Sequence, residues 1–104
     1  MTAIEALAEP NRRRILDLLR QGERPVGSLV RPLSLTQPAV SKHLRVLKDA
    51  GLVEVRPDGQ RRLYRVRPEP LADLDAWLAP YRSLWADRLD QLGAHVARTT
   101  KGAR

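Results

Sequence analysis

Cysteine is absent from the 104 residues, so the chain can form no disulfide framework, no thiolate metal site and no cysteine nucleophile. Long apolar runs are missing as well, and nothing reads as a membrane span. The opening Met1-Thr2-Ala3-Ile4-Glu5 lacks the basic start and apolar stretch of a secretory signal, which makes the cytoplasm the expected compartment. Aromatic residues are scarce. Tyr64, Trp77, Tyr81 and Trp85 are the whole set, and an RNA surface built on stacked bases calls for more of them beside the basic residues. There is no glycine-rich phosphate loop. Ser41 and His43, two apart on a helix, point about 200° apart, so no nucleophile–base pair forms from them. Asp73 and Asp75 are likewise on different sides of their helix, and no enzyme is expected.

Positive charge is what the chain has in excess. The formal net charge is +7 and the pI is near 11.0, values that mark nucleic-acid binding. The excess is segregated: residues 1–67 hold 14 Lys and Arg against 7 Asp and Glu, whereas residues 68–104 hold 5 against 5. A genome biased toward arginine would raise the total without separating it in this way. The expectation is one domain: a basic module over 1–67, a neutral segment over 68–97 and a frayed tail over 98–104.

Ile4 and Leu7 suit a short first helix, and Pro10 marks a fresh helical start. Ile15, Leu16, Leu18 and Leu19 follow at helical spacing, closed by Gly22. A brief third helix holds Val26, Leu29 and Val30, and Pro32 is expected to end it early by pushing Arg31 away from helical angles. After a turn at Leu33-Ser34-Leu35, Thr36 is a good N-cap and Pro38 falls in the first turn, where its missing N–H costs nothing. That fourth helix runs to Ala50 and closes at Gly51. Two β-prone runs, 52–56 and 62–66, flank Pro57-Asp58-Gly59-Gln60, a strong hairpin signal. From about Pro70 to Ala97 the apolar positions Leu71, Leu74, Leu78, Tyr81, Trp85, Leu89, Leu92 and Val96 form a near-heptad seam, with a kink or break to be expected at Pro80. Trp77 and Leu84 widen this stripe beyond what docking on one small domain needs.

On the fourth helix Val40, Leu44 and Leu47 make one apolar edge, and Pro38, Ser41, Lys42, Arg45 and Lys48 cover the other side. With Gln37 at its margin, that free side suits a major groove. Gln37 and Arg45 reach base edges bidentately, Ser41 bonds a base or phosphate, and Lys42 neutralises phosphates. Taken alone, such a face is as often an ordinary solvated surface. The ordered series of short helix, turn, capped basic helix and arginine-rich hairpin favours DNA. Arg61 and Arg62, just past the hairpin tip, are placed to enter a minor groove or clamp its phosphates, or to protect an exposed strand edge. His43, on the flank of the apolar edge, is expected to pack against neighbouring helices.

Two stretches carry a family resemblance over nearly the whole chain. Ala6-Leu7-Ala8-Glu9-Pro10-Asn11-Arg12-Arg13-Arg14-Ile15-Leu16 resembles the opening segment of the ArsR/SmtB-type winged helix-turn-helix repressors. Thr36-Gln37-Pro38-Ala39-Val40-Ser41-Lys42-His43-Leu44-Arg45-Val46-Leu47, followed by Ala50-Gly51-Leu52-Val53, resembles their recognition helix and the entry to their wing. The resemblance implies a mainly α fold with a small β-hairpin, a winged helix-turn-helix with a long C-terminal dimerisation helix. It implies that Thr36, Gln37, Pro38, Ser41, Lys42, Arg45 and Lys48 face operator DNA and that Arg61 and Arg62 serve from the wing. Ile4, Leu7, Leu78, Tyr81, Trp85, Leu89 and Leu92 are the implied homodimer surface. Ser34 stands where family members carry glycine, and Pro32 is not typical of them.

Metal-sensing members carry a Cys-x-Cys pair where this chain has Pro25 and Gly27. On the last helix only Asp90 and His95 approach the other ligand pattern, so no metal or cofactor is expected. The expected partners are double-stranded operator DNA and a second copy of the chain, with no membrane. The effector, a small molecule or a protein, is left open, and one candidate is a hydrophobic ligand between the long helices beside Trp77 and Trp85. The expected function is a homodimeric, autoregulatory repressor on an inverted repeat. A protein-interaction or RNA-binding use of the same fold is the alternative.

Overall fold

The computed structural model describes residues 1–88. Helix α1 (Ala3–Leu7) opens with a capping box in which the Thr2 hydroxyl accepts the Glu5 N–H at 3.2 Å and the Glu5 carboxylate accepts the Thr2 N–H at 2.9 Å. This reciprocal pair satisfies two N–H groups that a helix start leaves without partners. Pro10 begins α2 (Pro10–Leu19), and the carboxylate of Glu9 caps it by accepting the Arg12 N–H at 3.1 Å.

The three consecutive arginines of α2 each close a helix end. Arg12 Nε donates to Ala6 O at 2.6 Å and Arg13 Nη1 to Leu7 O at 2.8 Å, so both take carbonyls at the end of α1. Arg14 reaches the end of α3 (Gly27–Leu33) instead, donating to Pro32 O at 3.3 Å and Leu33 O at 3.4 Å. Guanidinium groups suit helix C-termini because those carbonyls lack intrahelical donors and lie at the negative end of the dipole.

Helix α3 does not stop before Pro32 as the sequence suggests; it continues to Leu33 with the proline inside it. Proline removes the N–H that would serve the carbonyl of Ser28, four residues earlier. Arg24 fills the gap: its Nη2 donates to Ser28 O at 3.2 Å and its Nε to Ser28 Oγ at 3.1 Å. The helix then ends in paired reverse bonds, Leu35 N–H to Val30 O at 3.3 Å and Ser34 N–H to Arg31 O at 3.1 Å. Ser34 takes the left-handed conformation, φ 55°, that such a Schellman close requires.

Helix α4 (Gln37–Asp49) starts at Thr36, whose hydroxyl accepts the Ala39 N–H at 3.3 Å. It ends on the same pair of reverse bonds, Leu52 N–H to Leu47 O and Gly51 N–H to Lys48 O, here with Gly51 at φ 80°. The chain enters β2 (Val53–Asp58) and returns in β3 (Arg61–Val66) through a two-residue loop with Gly59 at φ 62°. The strands run closer to the tip than the residue pattern indicates. A third strand that the sequence does not reveal, β1 (Arg24–Pro25), pairs Arg24 with Tyr64 and Pro25 with Leu63, giving an antiparallel sheet ordered β1-β3-β2.

Residues Met1–Asp73 form one compact unit. Its core is aliphatic: Ile15, Leu16 and Leu19 of α2 meet Leu29 and Leu33 of α3, Val40, Leu44 and Leu47 of α4, and Leu52 and Val53 at the sheet. Tyr64 packs against this core. A groove of about 500 Å³ opens on the same unit, floored by Leu7, Leu16, Leu19, Val66, Pro68 and Leu71.

A second unit begins at Leu74. Helix α5 (Glu69–Leu78) gives way to a 3₁₀ turn at Ala79–Tyr81, and residues 83–88 are helical again. The single long helix read from the sequence is therefore interrupted, because Pro80 has no N–H for the carbonyl of Ala76. Trp77 and Tyr81 lie on one side with ring centroids 5.0 Å apart. Both are exposed, as are Leu84 and Trp85. Leu89, Leu92, Val96, Asp90 and His95, with the tail 98–104, lie outside the described residues.

Candidate nucleic-acid interface

The position of α4 follows from its apolar edge. Val40, Leu44 and Leu47 are buried, which turns the opposite face outward. Gln37, Pro38, Ser41, Lys42, Arg45 and Lys48 are all exposed. Thr36 is exposed too, but its hydroxyl is engaged as the cap, so it sets the helix start. Among the described residues, the side chains of Gln37, Ser41, Lys42, Arg45 and Lys48 make no hydrogen bond or ion pair, and their donors stand free for a ligand.

The rest of the positive charge is sorted differently. Arg12, Arg13, Arg14 and Arg24 are committed to carbonyls. On the wing, Arg56 forks onto Glu23, Nε lying 3.1 and 3.0 Å from the two carboxylate oxygens. Arg65 meets Glu54 at 2.8 Å, Arg61 meets Asp58 at 2.9 Å, and Arg67 lies 3.6 Å from Glu69. The hydrogen bond from Arg56, and then its charge, hold the Glu23 carboxyl below the ordinary carboxylate range despite some opposing burial. These pairs are exposed and contribute little to stability. Their effect is to neutralise the wing locally. Among the described residues, the unpaired cations of the basic unit are therefore concentrated on α4 and at Arg62, with Arg20 and Arg31 isolated elsewhere.

Arg61 and Arg62 project from different faces of the hairpin. Arg61 lies opposite Asp58 and Arg62 opposite Pro57. Successive strand residues face opposite sides of a sheet, so one of the two arginines is paired back onto the hairpin and the other projects from the reverse face. The helix-capping use of Arg12, Arg13 and Arg14 was not readable from spacing, since the carbonyls they serve are distant or belong to other helices.

Among the positions implied in self-association, Ile4 is exposed and Leu7 half-buried at the rim of the apolar groove, while Tyr81 and Trp85 are exposed and Leu78 half-buried in the second unit. Among the described residues no group of three or more His, Asp or Glu side chains is placed to hold a metal ion. No described helix is long and apolar enough to cross a membrane.

Comparison with known proteins gives this geometry its relatives. Residues 9–55 match the family described as "Bacterial regulatory protein, arsR family". The chain is 43% identical over 95 residues to the HTH-type transcriptional regulator Rv2034 of Mycobacterium tuberculosis, covering 88% of this chain and 89% of that protein. It is 32% identical over 74 residues to the transcriptional repressor SdpR of Bacillus subtilis, covering 71% and 82%. A solved structure from Mycobacterium bovis, described as a homodimeric winged helix-turn-helix DNA-binding domain and a possible ArsR-family transcriptional regulator, aligns with a TM-score of 0.62. Its identity is 39%, over 76% of this chain and 73% of that one.

Proposed function

Because the chain belongs to the ArsR family of winged helix-turn-helix, DNA-binding transcriptional regulators and is no enzyme, we propose that it is a homodimeric repressor that binds an inverted repeat in the promoter of its own gene. The observation that carries this reading is the outer face of α4, where five polar or cationic side chains stand exposed and uncommitted while most arginines elsewhere are tied down.

Two copies of α4 enter successive major grooves about 34–36 Å apart. Gln37 and Arg45 read base edges, Ser41 bonds a base or phosphate, and Lys42 and Lys48 neutralise phosphates. Arg62 supplies the wing's contact in or over the minor groove. The dimer is held through Ile4 and Leu7 and through the aromatic stripe of the second unit, an assembly of the kind named for the Mycobacterium bovis relative. Bound across a promoter in the cytoplasm, such a dimer excludes polymerase.

The test is a titration of Arg45→Ala and Gln37→Ala against the duplex upstream of the gene and against single-base variants of it. Each substitution is expected to weaken specific binding by about 1–3 kcal/mol and to relax preference at one position per half-site. Unchanged affinity for Arg45→Ala removes α4's outer face from the role of reader.

A further inference from the structure

His43 is the polar residue of α4 that the outward set leaves out. It sits between Lys42 and Arg45 in sequence, but its side chain is only 20% exposed and turns toward the junction of α1 and α2. Its Nδ1 is buried with no hydrogen-bond partner, and it lies 3.7 Å from the Glu9 carboxylate. That separation is longer than a hydrogen bond yet within ion-pair range.

Glu9 is itself fixed in place, because its carboxylate caps α2 through the Arg12 N–H. Burial works to raise this carboxyl, but the N–H groups of Asn11 and Arg12, with the charges of His43 and Arg12, hold it below the ordinary carboxylate range. A fixed negative charge therefore faces an unpartnered ring nitrogen. The charged groups nearest this junction on the elements packed against α4 are engaged elsewhere or exposed. Glu5 of α1 is bonded to Thr2, the Arg12 guanidinium to Ala6 O, and Glu54 of β2 to Arg65. Arg31 of α3 and Lys42 of α4 are exposed cations. Among the described residues, Glu9 is the one carboxylate within ion-pair distance of His43.

We infer that Glu9 and His43 form a proton-dependent latch that seats the DNA-reading helix against the α1–α2 junction, closed when the imidazole is charged and slack when it is neutral. The inference rests on the reading of α4 as the helix that enters the groove. Protonation puts an N–H on both ring nitrogens, so Nδ1 is a donor toward the carboxylate whichever tautomer the neutral ring adopts, and charge attraction is added to the hydrogen bond. Imidazole as a class changes charge between about pH 5 and 8, and the seating of α4 follows the charge on this ring. Both groups are positioning residues and neither touches DNA.

Two measurements on the full chain test the latch. The variants are His43→Gln and Glu9→Ser, the second of which removes the charge but keeps an oxygen able to cap α2; thermal melts establish that each is folded. In ¹⁵N-labelled protein at about pH 6, an Nδ1 proton on His43 shielded from solvent exchange is expected in the wild type and lost in Glu9→Ser, with His95, the only other histidine, as the internal comparison. In operator titrations, the wild type is expected to gain about two- to fivefold in affinity between pH 8 and pH 6 beyond any gain in Glu9→Ser or His43→Gln. A wild-type pH response that survives intact in Glu9→Ser overturns the latch, as does a shielded Nδ1 proton that persists without the carboxylate. Failure of the wild type to prefer its operator at either pH overturns the reading of α4 instead, and the Nδ1 signal then decides the latch by itself.

Discussion

Ser34 and Gly51 do the same job with different side chains. Each sits left-handed at the close of a helix, with φ 55° and 80°, and each is followed by the same pair of reverse hydrogen bonds. Glycine bears no Cβ penalty there, whereas an L side chain pays roughly 1 kcal/mol or more. Ser34→Gly is expected to raise the urea unfolding free energy by about 0.5–1 kcal/mol; a net loss would show that the serine hydroxyl has a partner worth more than the strain. The wing tip gives a second contrast. With Arg61 held by Asp58 and Arg62 on the opposite face, Arg62→Ala should weaken binding to all duplexes alike and reduce the salt slope by about 1. Arg61→Ala should do less, and Asp58→Asn should tighten binding. A larger loss from Arg61→Ala would reverse the assignment. The sequence pairs these arginines by adjacency; strand alternation separates them, and the partner of Arg61 becomes visible only once the loop is known to be two residues long.

Helix α3 shows what allows a proline to stand inside a helix. The rule that proline ends a helix concerns an uncompensated carbonyl and the preceding residue's angles, and here the guanidinium of Arg24 takes the carbonyl that Pro32 leaves. The compensation couples the two residues. Arg24→Ala is expected to destabilise the chain by about 1–2 kcal/mol with Pro32 present. In a Pro32→Ala background, where the substituted alanine supplies its own N–H, the loss is expected to be smaller by roughly 0.5 kcal/mol or more. Additive effects in a double-mutant cycle would break the link. By contrast α4 was legible in every respect that periodicity and capping govern: Thr36 caps it, Pro38 lies in its first turn, Gly51 closes it, and Val40, Leu44 and Leu47 are inside. Strand β1 was not legible, since two residues, one of them proline, carry no alternation.

For the whole molecule, the segregation of charge in the sequence marks residues 1–67 as the basic unit but does not reveal how its cations are used. About half of those in the basic unit hold helix ends or pair with carboxylates, and this sorting needs the three-dimensional arrangement of α1, α2, α3 and the sheet. The apolar stripe read from the sequence stays uncovered among the described residues: Trp77, Tyr81, Leu84 and Trp85 are exposed, and an exposed patch of this kind suits an interaction surface. Tyr81→Glu combined with Trp85→Glu is expected to convert the dimer to a folded monomer in sedimentation velocity and to weaken operator binding by orders of magnitude, since one half-site alone holds weakly. Persistence of the dimer would move the interface off the stripe.

On the proposed reading, the free face of α4 reads a specific duplex. Its most direct test is fluorescence anisotropy of the wild-type protein on the labelled duplex from immediately upstream of its gene, beside a scrambled duplex of equal length, each at two salt concentrations. Tight binding that prefers the upstream duplex and falls steeply with salt is expected. Equal and weak binding to both duplexes would contradict it, showing a basic surface that attracts phosphate without reading bases.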